Sequence, residues 1–554
     1  MTNVGATLSR RQTRHGAETL IAAAVALTIL HLALALPDRP DALRPSMFLV
    51  LPLEFLAAVT LLLAFSPRTK SSLVARFAVT AAICVSIIVK LADIGMFSAL
   101  NRPFNFAYDL PLIPASWTVL SGSTGAVRAY GYLAAAIGVA CASVALVWWA
   151  TGALTRGLPR RSFLVSLAML FVATLVTIAG QSGPSISTRT SQTVVAHAKA
   201  AAAAQKEISS LSRDAVNDIY ANAPAGSLLD RLAGRDIIVA FVESYGRSSI
   251  DNPLYAPTTS AALAHIQARL ATSGLSARSA WLTSPTYGGQ SWLAHSTFMS
   301  GLWIDTQGRY GALTRSGRKT LIRLAGENGW NTIGVMPAIT QAWPEASFYG
   351  YDKVLAAGDL GYKGLPFNWV TMPDQYTLSA FQRMVLAPAS RAPVFAEIAL
   401  ISSHAPWTPI PTLLPWSEIG DGSVFNAQAS DGASPEEVWS DHDRVRDQFR
   451  KAIDYTLRTI GEFAVNRADS APLIVILGDH QPAPFVSGSE TNRDVPIHII
   501  GDAETISRLD DWGWTKGMAP SSYSPVIRMD QFRDKFLETF TQGSRNANGE
   551  GHSA

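Results

Sequence analysis

The stretch LIVILGDHQP, Leu473–Pro482, decides how the rest of the chain is read. Five consecutive apolar residues, three of them β-branched, run into Gly478, and Asp479 and His480 follow at once. A short continuous apolar run closed by a glycine reads as a strand buried on both faces of a sheet. Aspartate and histidine both ligate cations, so a strand that delivers the two side by side raises the question of which partners meet them.

Similar runs occur upstream and downstream. DIIVAFVES (236–244) delivers Glu243, and PVFAEIALIS (393–402) leads into SSHAPW and His404. TIGVMP (332–337) and VPIHIIGD (495–502) are further apolar runs, with helical patterns between them at 314–328 and 442–466. Buried strands separated by helices predict an α/β sheet covered by helices on both faces, with ligands gathering at the carboxyl ends of the strands. Singly, a glutamate after a strand reads as a surface residue and a histidine near proline as a loop residue. Three strands ending in such residues point instead to one divalent cation held by a mixed oxygen and nitrogen set, which suits Zn, Mn or Mg.

SPTYGGQSWLAHSTFMSGLW, Ser284–Trp303, lies between these runs. Gly288 and Gly289 free the backbone just before Ser291, and the residues after Ser291 have helical apolar spacing. A glycine-rich turn opening a helix favours an anion. A hydroxyl placed there beside a divalent cation becomes a nucleophile near neutral pH, whereas alone it reads as an N-cap. His295, one turn on, reads as a residue supporting the site or simply as core, the latter preferred.

The chain has 554 residues, too many for one ordinary domain, and is 48% hydrophobic. The long apolar runs fall within residues 1–180, as five candidate spans at 18–36, 47–66, 74–99, 130–152 and 162–180. Arg10, Arg11 and Arg14, then Arg68, Lys70 and Arg76, then Arg156, Arg160 and Arg161 mark alternate connections as basic, which predicts a cytoplasmic N-terminus. Five crossings then carry the remainder to the outer face. Glu54, Lys90 and Asp93 fall within spans, and Lys90 and Asp93 are spaced to pair on one helix face. Residues 181–235 read as a partly helical linker, 236–540 as the catalytic domain and 541–554 as a disordered tail. Net charge is only +3 and no basic face with interleaved aromatics occurs, so no nucleic-acid partner is expected. Two cysteines, Cys84 and Cys141, both inside apolar runs, exclude a disulfide framework and a cysteine zinc site.

Taken in order, the strand ending in Glu243, the glycine-rich turn with Ser291, SSHAPW and GDH resemble the alkaline phosphatase/sulfatase superfamily. The five spans and outward-facing domain narrow the resemblance to the lipoteichoic acid synthase-like membrane branch, whose close cousins are bacterial phosphoethanolamine transferases. The resemblance implies that Glu243, Ser291, Asp479 and His480 hold one divalent metal, with Mn favoured over Mg or Zn. It makes Ser291 the nucleophile, where the branch usually has Thr, and His404 a residue on the substrate side. Trp343, in WPEASFYGYDKV, is similar to a residue near the head group, and the helix at 449–464 to the one preceding the GDH strand. Sulfatases proper carry Cys-x-Pro-x-Arg where this chain has Ser-Trp-Leu-Ala-His, so a formylglycine enzyme is not expected. The synthases have an arginine two residues after the tryptophan, and here Glu345 stands there.

The resemblance implies a membrane-anchored, metal-dependent phosphotransferase of the bacterial inner membrane with a periplasmic or extracellular catalytic domain. It would move a phospholipid head group, of the phosphoglycerol type, through a phosphoseryl intermediate to an envelope glycan or lipid. A phosphoethanolamine transferase, a phosphodiester or sulfate-ester hydrolase, and a membrane-tethered binding or sensor protein on the same scaffold remain the alternatives.

Overall fold

The computed structural model describes residues 2–100, 102–110, 113–159, 161–178, 186–341, 343–388, 390–488 and 491–542. The stretch GSRNANGEGHSA, the bulk of the expected tail, lies outside the described residues. Its first two expected residues belong to the folded domain: Thr541 is buried and accepts from the Leu229 amide at 3.1 Å, and the Gln542 amide donates to Asp230 at 2.7 Å. The chain forms two compact units. Met1–Ser98, Arg102–Leu110 and Thr124–Ala203 make the first, and chiefly the residues from Ala204 onward make the second.

The first unit is a bundle of α1 (Thr2–Ala35), α2 (Leu53–Ala64), α3 (Lys70–Leu100), α4 (Ala126–Gly157) and α5 (Arg161–Ile178). At one end Gly157 closes on α1, where a Cβ would lie 3.2 Å from the Thr19 carbonyl. At the other end Lys90 Nζ donates to the Leu34 carbonyl at 2.8 Å. Among the described residues, segments within α1, α3, α4 and α5 are long and apolar enough to cross a membrane, four where five were expected. The second expected span contracts to the 12-residue α2. At 1.5 Å per residue it is about 18 Å long, short of the ~30 Å of a hydrocarbon core. Proline accounts for the contraction. Pro45 opens a single 3₁₀ turn, Pro45–Leu49, and Pro52 sits in the extended pair Leu51–Pro52, which runs parallel to Ile186–Ser187.

The charges within the spans are also arranged differently from the expected Lys90–Asp93 pair. Lys90 binds the Leu34 carbonyl and Thr190, both at 2.8 Å, while Asp93 accepts from the Phe104 amide and lies 3.0 Å from His197 Nε2. Glu54 accepts from the Ser191 amide and hydroxyl at 2.7 and 2.6 Å. These buried polar groups fasten the start of α6 (Arg189–Val216) to the bundle, a role that spacing within α3 alone does not show.

The second unit is built on a nine-stranded sheet. Its strands are β1 (Ile237–Val242), β2 (Leu275–Thr283), β3 (Asn331–Met336), β4 (Lys353–Ala356), β5 (Val394–Leu400), β6 (Leu473–Gly478), β7 (Asp494–Asp502), β8 (Thr515–Lys516) and β9 (Val526–Arg528). The order is β8-β2-β7-β6-β1-β5-β3-β4, with β9 beside β2. The run from β6 through β1, β5, β3 and β4 is parallel, and β7 is antiparallel to both β6 and β2.

Alternation along the central strands explains the two covered faces. Ile238, Ala240 and Val242 pack with Ile474 and Ile476 against α7 (Ala256–Thr272) and α9 (His442–Asn466). Ile237, Val239 and Phe241 face the other way with Leu473, Val475 and Leu477, toward α8 (Ser291–Ser300) and α10 (Phe532–Phe540). Every apolar side chain of β6 is at most 1% exposed, a burial that stabilises by about 1.5–3 kcal/mol for each large aliphatic residue. The helix expected at 314–328 is shorter, Leu321–Glu327, because the Thr320 side chain caps it by accepting from the Arg323 amide. Strand β2 escapes the sequence reading because LSARSAWLT lacks a clean apolar run. Its Arg278 is satisfied by Asp510 at 2.5 Å.

Register sets where the chemistry collects. Val242 pairs with both Leu400 and Gly478, so β5, β1 and β6 finish at one level. The residues that follow them, Glu243 and Asp479 among them, leave the sheet at the same edge.

Candidate metal centre and nucleophile

Glu243, Asp479 and His480 offer ligand atoms that all lie within 4.8 Å of one another. The peptides on either side hold them there. The Ser244 and His480 amides both donate to Asp479 Oδ1, at 2.8 and 2.7 Å, which leaves Oδ2 buried with no hydrogen-bond partner. His480 Nδ1 lies 2.8 Å from the Gln481 carbonyl. Donation there leaves Nε2, 3.3 Å from Glu243 and 3.5 Å from Asp479, as the atom a cation would take once the ring is neutral. Gly478 permits the close approach of the two strand ends, since a Cβ on it would lie 1.8 Å from the Tyr245 carbonyl oxygen.

Ser291 completes the group. Gly288 and Gly289 take φ of +72° and +152°, and Gln290, not Ser291, occupies the N-cap position of α8. Ser291 is thereby the first helical residue, and its hydroxyl is turned into the cluster instead of capping the helix. It donates to Glu243 Oε2 at 2.8 Å and lies 3.2 Å from His480 Nε2.

The electrostatics match a site built for positive charge. Burial works to raise the Glu243 carboxyl, but hydrogen bonding and charge from His480, with His404 adding, hold it well below the usual carboxylate range. Burial, with the Glu243 charge beside it, pushes the Asp479 carboxyl up to about 7. Burial opposes the charge on His480, yet Asp479 and Glu243 outweigh it and raise the imidazole to about 9. The cluster thus takes up protons to offset its own negative charge. A divalent cation bound by Glu243, Asp479, His480 and the Ser291 oxygen would replace those protons and give the orphaned Asp479 Oδ2 a partner.

His404 is positioned beside this group. Its ring stacks on Trp369 with centroids 3.8 Å apart, its Nδ1 lies 2.5 Å from the Ala405 carbonyl, and the neighbouring Ser403 hydroxyl donates to the Glu243 carbonyl at 2.6 Å. Trp343 packs in an aromatic cluster, 5.4 Å from Tyr349 and 6.1 Å from Tyr351.

The structure adds a network that the sequence reading passed over. His295 stacks on Phe241 at 3.7 Å, as a core residue does, but its Nδ1 lies 2.7 Å from Glu397 Oε1. Glu397 is 1% exposed in the middle of β5 and also accepts from the Tyr351 hydroxyl at 2.7 Å. The Ser296 and Tyr349 hydroxyls are 2.7 Å apart, which links α8 to the same cluster. The available signal was Glu397 itself, a carboxylate inside an otherwise apolar strand, which needs a partner when buried.

No family model and no curated protein matches the chain. Among solved structures the chain is similar to members of the alkaline phosphatase superfamily. With the lipoteichoic acid synthase LtaP from Listeria monocytogenes it shares 14% identity over 56% of this chain and 72% of that one, at a TM-score of 0.36. With the Streptococcus pyogenes phosphoglycerol transferase GacH, solved with sn-glycerol-1-phosphate, it shares 14% over 61% and 82%, at 0.36. With the C-terminal periplasmic domain of EcEptC from Escherichia coli, solved with Zn, it shares 11% over 56% and 83%, at 0.36. Scores this low carry no weight for function, and the functional reading stands on the residues of the site.

Proposed function

We propose that the chain is a membrane-anchored, metal-dependent transferase that moves a phospholipid head group through a phosphoseryl diester on Ser291. One observation carries the reading: the Ser291 hydroxyl opens a helix 2.8 Å from Glu243 and 3.2 Å from His480, beside an unpartnered buried Asp479 oxygen. Glu243, Asp479, His480 and the Ser291 oxygen are the proposed ligands. A divalent cation held there, Mn by the family resemblance, would acidify the hydroxyl and neutralise phosphoryl charge.

In the first half-reaction the Ser291 oxygen bonds to the donor phosphorus and the bond from phosphorus to the diacylglycerol oxygen breaks. The proton lost by Ser291 is matched by one gained by the departing diacylglycerol, with His404 the proposed group beside that oxygen. In the second half, an acceptor hydroxyl on an envelope glycan or lipid bonds to phosphorus and Ser291 leaves, regaining its proton. Apolar, span-length helices ahead of the domain support a lipid donor, because anchoring would keep the site at a membrane surface.

A phosphoethanolamine donor is the second reading, and Glu345 favours it. Glu345 lies two residues after Trp343 and its carbonyl accepts the Phe348 amide at 3.0 Å, so it opens the turn that carries the aromatic cluster of Trp343, Tyr349 and Tyr351. A carboxylate near aromatic faces suits a head group carrying an ammonium. The test is to incubate the full chain in detergent with labelled phosphatidylglycerol or phosphatidylethanolamine and to follow diacylglycerol release. Release from either lipid, together with one bound divalent metal per chain, is expected, and the lipid used identifies the donor. A chain that binds no divalent metal and releases diacylglycerol from neither overturns the reading.

A further inference from the structure

A second site lies within the first unit, at the end of the bundle from which the chain departs into α6. There a cavity of about 950 Å³ opens between the C-terminal ends of α1 and α5, the 3₁₀ turn Pro45–Leu49 and the first residues of α6. That volume falls in the range of small-molecule binding sites. Its walls divide by chemistry. Arg44 and Arg189, both exposed, line the cavity from two segments far apart in sequence, and Ser187 and Thr188 line it as well. Leu34, Met47 and Leu49 supply apolar surface, with Leu49 84% exposed.

The charge in this cavity is not balanced by its own carboxylates. Asp41, which also lines it, pairs with Arg39 at 3.2 Å. Glu54 and Asp38 nearby are engaged by α6, the first through Ser191 and the second through Thr193 at 2.8 Å. Among the described residues neither Arg44 nor Arg189 forms a salt bridge, and Lys90 Nζ donates at 2.8 Å to Thr190, the residue after Arg189. Two arginines without carboxylate partners recognise a phosphate or phosphodiester. An apolar wall adjoining them fits the first carbons of acyl chains, which a soluble phosphate lacks.

We propose that this cavity binds the head group of an anionic phospholipid, with the phosphate on Arg44 and Arg189 and the glycerol and upper acyl carbons on the Met47 and Leu49 side. Basic pockets between membrane helices hold anionic head groups by the same combination of forces. The proposal rests on the bundle lying in a membrane and is independent of the transfer chemistry at Ser291.

The full chain is reconstituted in phosphatidylcholine vesicles containing phosphatidylglycerol that carries a photoactivatable group next to its head group, and the adducts are mapped by peptide mass spectrometry. Adducts are expected on the peptides spanning 44–52 and 186–192. Replacing both arginines, Arg44→Gln with Arg189→Gln, is expected to reduce them about tenfold or more. The Ser291→Ala chain keeps them, which separates this site from the catalytic reading. Equal labelling of these peptides by a photoactivatable phosphatidylcholine, or adducts spread evenly over the apolar helices, overturns the proposal. Displacement of the label by millimolar inorganic phosphate also overturns it, by assigning the cavity to free phosphate. The comparison of the two lipids on the unmodified chain decides the matter even if the doubly substituted chain fails to fold.

Discussion

Gly478→Ala tests whether the strand-end register builds the candidate site. The new Cβ would lie 1.8 Å from the Tyr245 carbonyl oxygen and 3.2 Å from Val495 Cβ, and both the carbonyl and the strand behind it are backbone-fixed. A carbon–oxygen contact relaxes to about 3.3 Å, so segments 243–245 and 478–480 must separate by about 1.5 Å. That shift takes the Ser244 amide bond to Asp479, now 2.8 Å, beyond hydrogen-bonding range and spreads the ligand set. Overpacking of this kind costs about 1–3 kcal/mol, and a displacement near 1 Å at reacting groups costs ~10²-fold in rate. Gly501→Ala, on the neighbouring β7, is the control. Its Cβ would meet Leu473 at 3.4 Å, an ordinary contact, and a cost under about 1 kcal/mol is expected. Urea unfolding and metal analysis of the two purified variants make the comparison. A Gly478→Ala chain that unfolds at the unmodified chain's midpoint and retains its bound divalent metal refutes the reasoning.

Other expected outcomes concern separate parts of the fold. Ser291→Ala should reduce head-group transfer by ~10³-fold or more while moving the unfolding midpoint little, because the side chain is only half-buried and caps no helix; a parallel loss of stability and activity would make Ser291 a structural residue. Asp236 accepts both Arg391 guanidinium nitrogens at 2.6 Å and the Val394 amide at 3.0 Å, at the edge of the sheet opposite the site. Asp236→Ala should therefore cost about 1.5–3 kcal/mol in unfolding measurements, because Arg391 loses its carboxylate but is partly exposed and keeps the Leu386 and Ala392 carbonyls, and an unchanged midpoint would show the pair to be inconsequential. His498 is fully buried between the Tyr245 and Ser279 hydroxyls, and burial lowers its imidazole from 6.5 to about 3. The folded state holds it neutral, so its contribution is complete above pH 6.5 and is lost as pH falls toward 3, at up to about 1.4 kcal/mol per pH unit. Between pH 6.5 and 5 that amounts to about 1.6 kcal/mol, since the unfolded imidazole is only half protonated at pH 6.5. Unfolding curves of the unmodified chain and of His498→Gln should differ in pH slope by this amount, and parallel slopes would contradict it.

Five strands of the second unit were legible because they are apolar or nearly so, whereas the short parallel β4, Lys353–Ala356, has too few apolar residues to stand out. Glu243, Asp479 and His480 could be picked out for the same reason: polar side chains are conspicuous where such runs stop. Ser291 was legible through the two glycines before it. Strand β2 was hidden, since its polar residues are satisfied by Asp510 and by partners that no local pattern displays. His295 was read as core because a histidine on an apolar helix face looks the same whether or not a buried carboxylate waits on a neighbouring strand.

Composition and spacing alone therefore determined that the chain has an apolar helical part and an α/β part, and which side chains stand at strand ends. Folding decided how those side chains meet. Glu243, Ser291 and His480 are separated by dozens to hundreds of residues, and only the register of β1 with β6, together with the turn into α8, brings them within hydrogen-bonding distance. Folding also decided the length of α2, because the prolines at 45 and 52 act through backbone geometry that hydropathy does not record. The partners of Lys90 and Asp93 were settled in the same way: a buried charge takes the partner that three dimensions supply, and here those partners lie outside α3 altogether.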